Sequence, residues 1–263
     1  MKWSEIPKKE ILEQNPELKG KREMVERRAS HSKTFLMGKT KKGDDQFRVI
    51  NKLGEYVHYR NNIDDDKEDW KDIDLNLVKK GNHYFCDKTF YNVKVFTDKV
   101  GYAYRSKRGG TVRVELVEVG GVPVNNEKIS IVSDRNQLFW KGLATGLEMK
   151  IILMPLKVEI FKKLDTATTP RKLKWKVTES VKSNAHFAQK TAGADSDQQS
   201  MQFTTVKENE RTMGGMKTYH YTEEWTGKVS RINDKRKRTK DWNGTVKYPV
   251  IIDATTTENI VAG

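Results

Sequence analysis

The sequence predicts an all-β protein: an antiparallel β-sandwich or barrel-like domain, or domains, with a short helical or extended N-terminal arm. Two observations predict this class. From Thr34 onward, apolar and polar residues alternate in short runs that are rich in β-branched and aromatic types, which is typical of half-buried strands. Turn-forming residues separate these runs at short intervals, so most strands can join antiparallel neighbours through short connections.

Residues 1–30 differ from the rest and form the predicted basic arm. They can make two short helical pieces, interrupted at Pro16, before a charged segment. Residues 1–42 carry twelve Lys/Arg and six Glu, a local charge of +6. The arm is either a solvated terminus or a segment that docks on a neighbouring acidic surface. On the second interpretation its contacts are made by Lys19, Lys21, Arg22, Arg27 and Arg28.

Residues 31–181 are predicted to form the main antiparallel β domain. Its alternating runs include "QFRVI", "EYVHYR", "YNVKVFT", "GYAYRS", "TVRVELVEV", "KISIVS", "KVEIFKKL" and "RKLKWKV". In "TVRVELVEV" the apolar residues change parity after Leu116, which indicates a bulge or a strand that changes sheets. Pro155 interrupts the most apolar stretch, "MKIILMPLKVEIF", so we expect the chain to bend there.

The last third of the chain is predicted to hold a loop and a hairpin. Residues 182–217 have few periodic apolar positions, which indicates a long polar loop or insertion with one possible strand at "MQFTTV". Residues 218–263 are predicted to form a C-terminal hairpin that completes the β domain or makes a second small one. Its predicted tip carries a second candidate surface for a partner: Lys235, Arg236, Lys237 and Arg238.

Composition limits the environment and the partners. The excess of 50 Lys/Arg over 36 Asp/Glu gives a net charge of +14, which favours an acidic partner surface. One cysteine, Cys86, excludes an intrachain disulfide framework and a cysteine-rich zinc site. Because the sequence has neither a secretory apolar run nor an apolar span of membrane length, we expect a protein made in a cytoplasm without membrane association.

Recognised catalytic and metal-binding motifs do not occur in the sequence. It has no Walker loop, no dinucleotide glycine fingerprint, no zinc-protease motif and no nucleophile elbow. The acidic stretch "NNIDDDKEDWKDIDLNLV" does not place a glycine at the sixth and a glutamate at the twelfth position, as an EF-hand loop requires. Glu223 and Glu224 are adjacent, so on a strand they face opposite ways and cannot flank one substrate bond. We expect no catalytic residue, metal or cofactor, and structural roles for His58 and His220.

Three stretches resemble a known family. The first is a strand ending in V-H-Y, an acidic turn and then W-x-D-I-D, formed here by Val57, His58, Tyr59, Trp70, Asp72, Ile73 and Asp74. The second is "LFWKGLATGLEMKIILMPLKVEIFKKL", and the third is the closing "YPVIIDATTTENIVAG", with Tyr248, Pro249 and Asp253. In this order they resemble a β-rich structural module of tailed-bacteriophage virion proteins, also seen in Rhs-like bacterial surface proteins.

The resemblance is incomplete. Lys157-Val158-Glu159 replaces the family's adjacent Lys-Glu pair, and Ala254 stands where proline is common. It implies that the aspartates belong to a turn and a strand entry, where carboxylates cap backbone N–H groups while Trp70 and Ile73 pack inward.

The resemblance implies a non-enzymatic structural component of a bacteriophage virion, a capsid-associated, connector or fibre-base protein. Its partners would be other virion proteins, with homo-oligomerisation and assembly in the host cytoplasm. An alternative is a carbohydrate- or cell-surface-binding adhesin module that uses Trp140, Trp225 and Trp242. A weaker alternative, based on the +14 charge alone, is a nucleic-acid-binding protein.

Overall fold

The computed structural model confirms the all-β, antiparallel class. It describes residues 9–52, 56–62, 65–107, 109–182, 185–190, 199–213, 216–229 and 250–260. The chain divides into two compact units, each described by itself. Unit 1 is Met1–Asp74 with Lys88–Phe90, and unit 2 is Leu75–Asp87 with Tyr91–Gly263.

Unit 1 contains a short helix and two small ribbons of antiparallel strands. Its elements are α1 (Lys9–Gln14), β1 (Ser32–Lys39), β2 (Asp45–Asn51), β3 (His58–Tyr59) and β4 (Lys71–Asp72). The predicted turn "KKGDD" joins β1 to β2: Gly43 there has a φ of 90°, a value that glycine adopts without steric cost. Among the described residues, no helix is both long and apolar enough to cross a membrane.

The N-terminal segment packs on β1. Glu23 forms an antiparallel bridge with Phe35, and the Met24 N–H donates to the Thr34 carbonyl over 2.8 Å. Leu18, Met24 and Phe35 are almost completely buried. The segment is short-helical and extended as predicted, but its described part belongs to the fold of unit 1. The predicted domain limits at residues 30 and 181 therefore do not coincide with the limits of the units.

The described residues of unit 2 form fifteen strands in two antiparallel sheets. The strands are β5 (Val78–Lys80), β6 (His83–Cys86), β7 (Tyr91–Phe96), β8 (Gly101–Ser106), β9 (Thr111–Val119), β10 (Val122–Pro123), β11 (Ser130–Asp134), β12 (Gln137–Ala144), β13 (Leu147–Leu153), β14 (Val158–Leu164), β15 (Lys172–Lys182), β16 (Ala185–Lys190), β17 (Gln199–Met213), β18 (Met216–Val229) and β19 (Val250–Ile260). The large sheet has the order β17-β18-β15-β9-β8-β7-β6-β5, with β10 beside β9. The small sheet has the order β11-β12-β13-β14-β19-β16.

The core of unit 2 lies between its two sheets. Alternate residues of β7, β8, β9 and β15 from the large sheet join alternate residues of β12, β13 and β14 in one cluster of buried side chains. Trp140 and Trp175 are its largest members, both 0% exposed. Side chains with a period of two that fill the space between two sheets make this unit a β-sandwich.

Two local predictions are confirmed within unit 2. The pairing of β9 with β15 shifts register between Lys174 and Trp175, opposite Glu118 and Leu116, which is the bulge that the parity change predicts. The chain reverses at Pro155, since β13 ends at Leu153 and the Met154 N–H donates to the Lys157 carbonyl over 2.9 Å. A proline without a backbone donor is accommodated in a turn of this kind.

Two predictions for the last third of the chain need correction. The loop predicted for 182–217 contains β16 and all of β17, and "MQFTTV" lies inside β17. Within the described residues of 218–263, β18 and β19 do not pair with each other as the predicted hairpin requires. Because β15 and β17 occupy both edges of β18, the strand β19 pairs with β14 and β16 in the other sheet.

Candidate functional site

A group of charged side chains in unit 1 is the candidate site. Three pieces of chain bring it together: the segment that pairs with β1, the strand β1 itself and the β3–β4 ribbon. In the ribbon His58 lies directly opposite Asp72, and Tyr59 opposite Lys71. The Ser30 carbonyl accepts from the N–H groups of Val57 and His58. We call Glu23, Arg28, Lys33, His58 and Asp72 the ion cluster.

Arg28 is at the centre of the ion cluster. Its Nε and Nη2 donate to the two carboxylate oxygens of Glu23, each over 2.9 Å. Nη2 also donates to Asp72 over 2.8 Å, and Nη1 donates to the Trp70 carbonyl over 3.1 Å. The side chains of Arg28 and Glu23 are only 7% and 4% exposed. A buried, bidentate guanidinium–carboxylate pair is among the strongest polar contacts in proteins.

Lys33 and His58 complete the ion cluster. The Lys33 ammonium lies 3.2 Å from Glu23 and 2.5 Å from Asp72. His58 is fully buried, with Nε2 at 3.2 Å from Glu23 and 3.5 Å from Asp72. Its Nδ1 lies 2.7 Å from the Ala29 carbonyl. Asp72 lies at the solvent-exposed edge of the ion cluster, since its side chain is 42% exposed.

The charges hold these groups in their ionised forms. Burial by itself raises the pKa of Glu23, but contacts from His58, Arg28 and Lys33 outweigh it and lower the pKa to about 2. Burial also raises the pKa of Asp72, but contacts with His58, Lys33 and Arg28 outweigh burial and lower this pKa well below its usual value. Burial would lower the pKa of His58, yet its contacts with Asp72, Glu23 and Ala29 raise it. Both carboxylates of the ion cluster, Glu23 and Asp72, are therefore ionised at neutral pH.

The ion cluster contains three potential metal ligands. Glu23, His58 and Asp72 each offer one ligand atom, and these atoms lie within 4.8 Å of one another. A carboxylate–histidine set suits zinc or a related ion. However, Arg28 and Lys33 already contact both carboxylates, so a divalent ion would enter beside two fixed positive charges. The arrangement fits an ion-pair network that joins three pieces of chain, and the two cations oppose metal binding.

The arm residues predicted to bind a partner have different surroundings. Lys19 and Arg22 are exposed. Lys21 Nζ donates to the Met37 carbonyl over 2.8 Å, and the Arg27 guanidinium lies 4.0 Å from the centre of the Phe47 ring. The prediction that Arg28 contacts a partner is wrong, because its side chain is buried in the ion cluster. The predicted tip Lys235, Arg236, Lys237 and Arg238 lies outside the described residues.

The motif residues of the first stretch lie close together in unit 1. The Ile73 N–H donates to the Val57 carbonyl over 3.1 Å, and the Asp74 N–H donates to Lys88 over 2.9 Å. Tyr59 is buried, whereas Trp70 and Ile73 are half-buried. Asp253 lies on β19 opposite Phe161; Tyr248 and Pro249 lie outside the described residues.

The expected role of the motif aspartates is corrected in one respect. Asp72 contacts Arg28, Lys33 and His58 through its carboxylate. Within the acidic turn itself, carboxylates cap backbone N–H groups as expected: Glu68 accepts from Asn62 over 2.8 Å and Asp65 from Lys67 over 3.0 Å.

The predictions for the candidate glycosidase pair and for Trp140 have clear outcomes. Glu223 is buried, whereas Glu224 on the opposite face pairs with Lys172 over 2.8 Å, so the two carboxylates diverge as predicted. Trp140 is 0% exposed, which corrects its assignment to a sugar-binding surface. The side chain of Trp225 and all of Trp242 lie outside the described part.

Sequence reasoning missed two buried polar groups in unit 2. Lys162 is 0% exposed and donates from Nζ to the Arg171 carbonyl over 2.5 Å. Its position shares the parity of the buried residues in "VEIFKKL", and that parity was the available signal. The hydroxyl of Tyr221 donates to Glu179 over 3.2 Å, a contact across 42 residues with no local signal.

No family model, curated protein or solved structure matches this chain. The class that its fold and site define is an antiparallel β-sandwich protein with an additional unit stabilised by a buried ion cluster.

Proposed function

We propose that this chain is a non-enzymatic structural component of a bacteriophage virion, in a capsid-associated, connector or fibre-base position, that acts through contacts with other virion proteins and with copies of itself. The family resemblance is the reason for proposing a virion component. The residues that carry this resemblance include two members of the ion cluster, His58 and Asp72, which join the N-terminal segment to β1 and the ribbon. This placement supports a role in building the fold.

The single observation that best supports self-association is a pair of sheet edges in unit 2. β5 ends the large sheet and β11 ends the small sheet. The two edges lie on the same side of the sandwich, because the Leu77 N–H, next to β5, donates to the Arg135 carbonyl, next to β11, over 2.8 Å. We call this side the open edge. Among the described strands, none pairs with its outer backbone groups.

The open edge also exposes apolar side chains. Val78 on β5 is 54% exposed and Val132 on β11 is 46% exposed. An edge strand with free backbone donors and acceptors beside apolar side chains is a template for pairing with another chain. Lys79 and Lys80 on β5 disfavour indiscriminate pairing there, so β11 carries the association.

The test compares two valine variants of the full chain. By analytical ultracentrifugation, the wild type forms a discrete oligomer, and Val132→Glu shifts it toward the monomer by about tenfold or more in dissociation constant. Val122→Glu is the matched control, because Val122 is 66% exposed and lies on β10, a two-residue strand beside β9 that belongs to neither β5 nor β11. Particles banded on a density gradient from the natural lysate are probed with an antibody against the chain.

A wild type that stays monomeric at high concentration and is absent from the banded particles would refute the proposal. Equal effects of the two glutamate variants would refute the open edge as the interface.

A further inference from the structure

The outer face of the large sheet combines aromatic rings with cations. In an antiparallel sheet, directly opposite residues lie on the same face. One row across the strands is Lys80, His83 and Phe96, and the next is Val78, Phe85, Lys94, Ala103 and Arg113. Arg105 follows in the third row, opposite Asn92. The residues of opposite parity are in the core, so these rows face away from it. We call Lys80, His83, Phe85, Lys94, Phe96, Arg105 and Arg113 the aromatic–cationic face.

The rings and cations of this face are in contact. Lys80 Nζ lies 4.5 Å from the centre of the Phe85 ring, and His83 meets the same ring edge-on with 6.3 Å between centres. The Arg113 guanidinium lies 4.9 Å from the centre of the Phe96 ring. Both phenylalanines are half-buried, so part of each ring is accessible. A cation over a ring keeps the ring oriented.

The charge of the face is mostly unbalanced. Glu115 pairs with Lys99 over 3.3 Å and with Arg113 over 2.5 Å. Lys80, Lys94 and Arg105 form no ion pair within the described ranges, and Lys94 and Arg105 are exposed. Three uncompensated cations around two accessible rings are complementary to an anionic ligand that also has flat apolar surfaces.

We propose that the aromatic–cationic face binds single-stranded nucleic acid. Phosphates contact Lys80, Lys94 and Arg105, while bases stack on Phe85 and Phe96. Single-strand-binding surfaces combine these two features: cations that follow the backbone, and aromatic side chains on which bases stack with little sequence preference. A duplex presents its phosphates but keeps its bases stacked inside, so the rings favour the single strand. The inference is independent of the proposed assembly role, since it uses the face of the large sheet and not β11.

The test measures fluorescence anisotropy of a labelled oligothymidylate of about 20 nucleotides, titrated with the full chain. Phe85→Ala weakens binding about tenfold, the value of one lost stacking contact. Lys94→Ala lowers the slope of log affinity against log salt, measured between about 50 and 200 mM, by about 0.7 for the lost phosphate contact.

The chain supplies a matched control on the small sheet. There, Lys150 lies 5.8 Å from the centre of the Phe139 ring and 5.2 Å from that of Phe161, which is a similar ring–lysine row beside acidic neighbours. Phe139→Ala leaves oligothymidylate binding unchanged. Circular dichroism melts verify that the variants fold, and Lys94→Ala, at an exposed position, decides the question if Phe85→Ala does not fold.

Three results would overturn the inference. They are no binding at about 50 mM salt and about 50 μM protein, equal losses in Phe85→Ala and Phe139→Ala, and binding of a duplex or of polyglutamate as tightly as of the single strand. The last result would define a surface that recognises charge alone, in an acidic protein or a duplex. The monomeric Val132→Glu variant retains binding, so failure here and failure of the assembly proposal can be told apart.

Discussion

At the scale of residues, the sequence singles out three members of the ion cluster but not their contacts with one another. His58 and Asp72 belong to the V-H-Y and W-x-D-I-D stretches, and Arg28 is assigned to the arm as a partner contact. Nothing local connects Arg28 with Asp72, 44 positions later, and nothing in the pattern singles out Glu23. A charged segment near a terminus is usually solvated. The bridge between Glu23 and Phe35 removes this one from solvent.

Glu23 contacts three other members of the ion cluster through its carboxylate: Arg28, Lys33 and His58. We expect Glu23→Gln to lower the free energy of unfolding by about 3 kcal/mol, because it leaves the buried Arg28 and Lys33 with too little negative charge. Urea denaturation at neutral pH, followed by circular dichroism, measures the change.

Glu26→Gln is the control for this substitution. Glu26 lies in the same segment but is exposed, so its loss should change stability by no more than about 0.5 kcal/mol. A Glu23→Gln chain as stable as Glu26→Gln would show that the ion cluster contributes nothing net, as some buried ion pairs do.

At the scale of elements, strands that are buried on one face were predictable and polar edge strands were not. The runs that became β7 and β15 alternate in burial along their described positions, and β8, β9 and β14 do so over most of their length. β17 ends the large sheet, so it has a neighbour on one side only, and its sequence "QSMQFTTVKENERTM" has few periodic apolar residues. It pairs with β18 along fourteen matched positions, and only Gly214 and Gly215 separate the two strands. A Gly-Gly pair between two runs is a local hairpin signal, so the signal for this strand lay in the connection and not in the apolar pattern.

The turn between β13 and β14 is held by a residue of the other sheet. The hydroxyl of Tyr91 on β7 donates to the Met154 carbonyl over 2.6 Å and lies 3.1 Å from the Lys157 carbonyl. Burial raises the pKa of Tyr91 well above 10, so the hydroxyl remains a donor. We expect Tyr91→Phe to cost about 1–2 kcal/mol of unfolding free energy, because the turn carbonyls lose a buried donor.

Tyr84→Phe tests whether that cost comes from the hydroxyl contact. Tyr84 packs at the border of the same core, and its hydroxyl makes no hydrogen bond to the described part of the chain. Its substitution should therefore change the urea midpoint little. Equal shifts for both variants would mean that the contacts of Tyr91 with the turn do not stabilise the sandwich.

At the scale of the whole molecule, the class was predictable and its division was not. The period of two and the short turns indicate paired strands, whatever sheet each strand enters. Which strands become neighbours depends on side chains far apart in sequence, so β18 and β19 looked like a hairpin although they belong to different sheets. The division into two units likewise depends on the pairing of the N-terminal segment with β1.

The two units also contain titrating groups of opposite effect. In unit 1 the pKa of His58 is raised above 6.5, so its contribution to stability is complete below pH 6.5 and is lost as pH rises through the raised value. In unit 2, burial and the nearby charge of Arg171 lower the pKa of Lys162 from 10.5 to about 7. Between these two values the unfolded chain binds more protons than the folded chain, so stability rises with pH.

We therefore expect two single variants to diverge from the wild type in opposite directions as pH rises. From pH 7 to about 9, the wild type should gain stability relative to Lys162→Met by roughly 1 kcal/mol per pH unit, because Met carries no charge to bury. As pH rises through the raised pKa of His58, the difference in unfolding free energy between the wild type and His58→Gln should shrink. Urea denaturation at each pH gives both differences, and each difference cancels the titrations that the two chains share.

Lys163→Met is the control. Lys163 is adjacent to Lys162 but faces outward, with Glu148 and Asp165 as partners, so the difference in unfolding free energy between the wild type and this variant should stay nearly constant. A Lys162→Met difference that does not grow with pH would show that the amine in the sandwich stays protonated, hydrated or both.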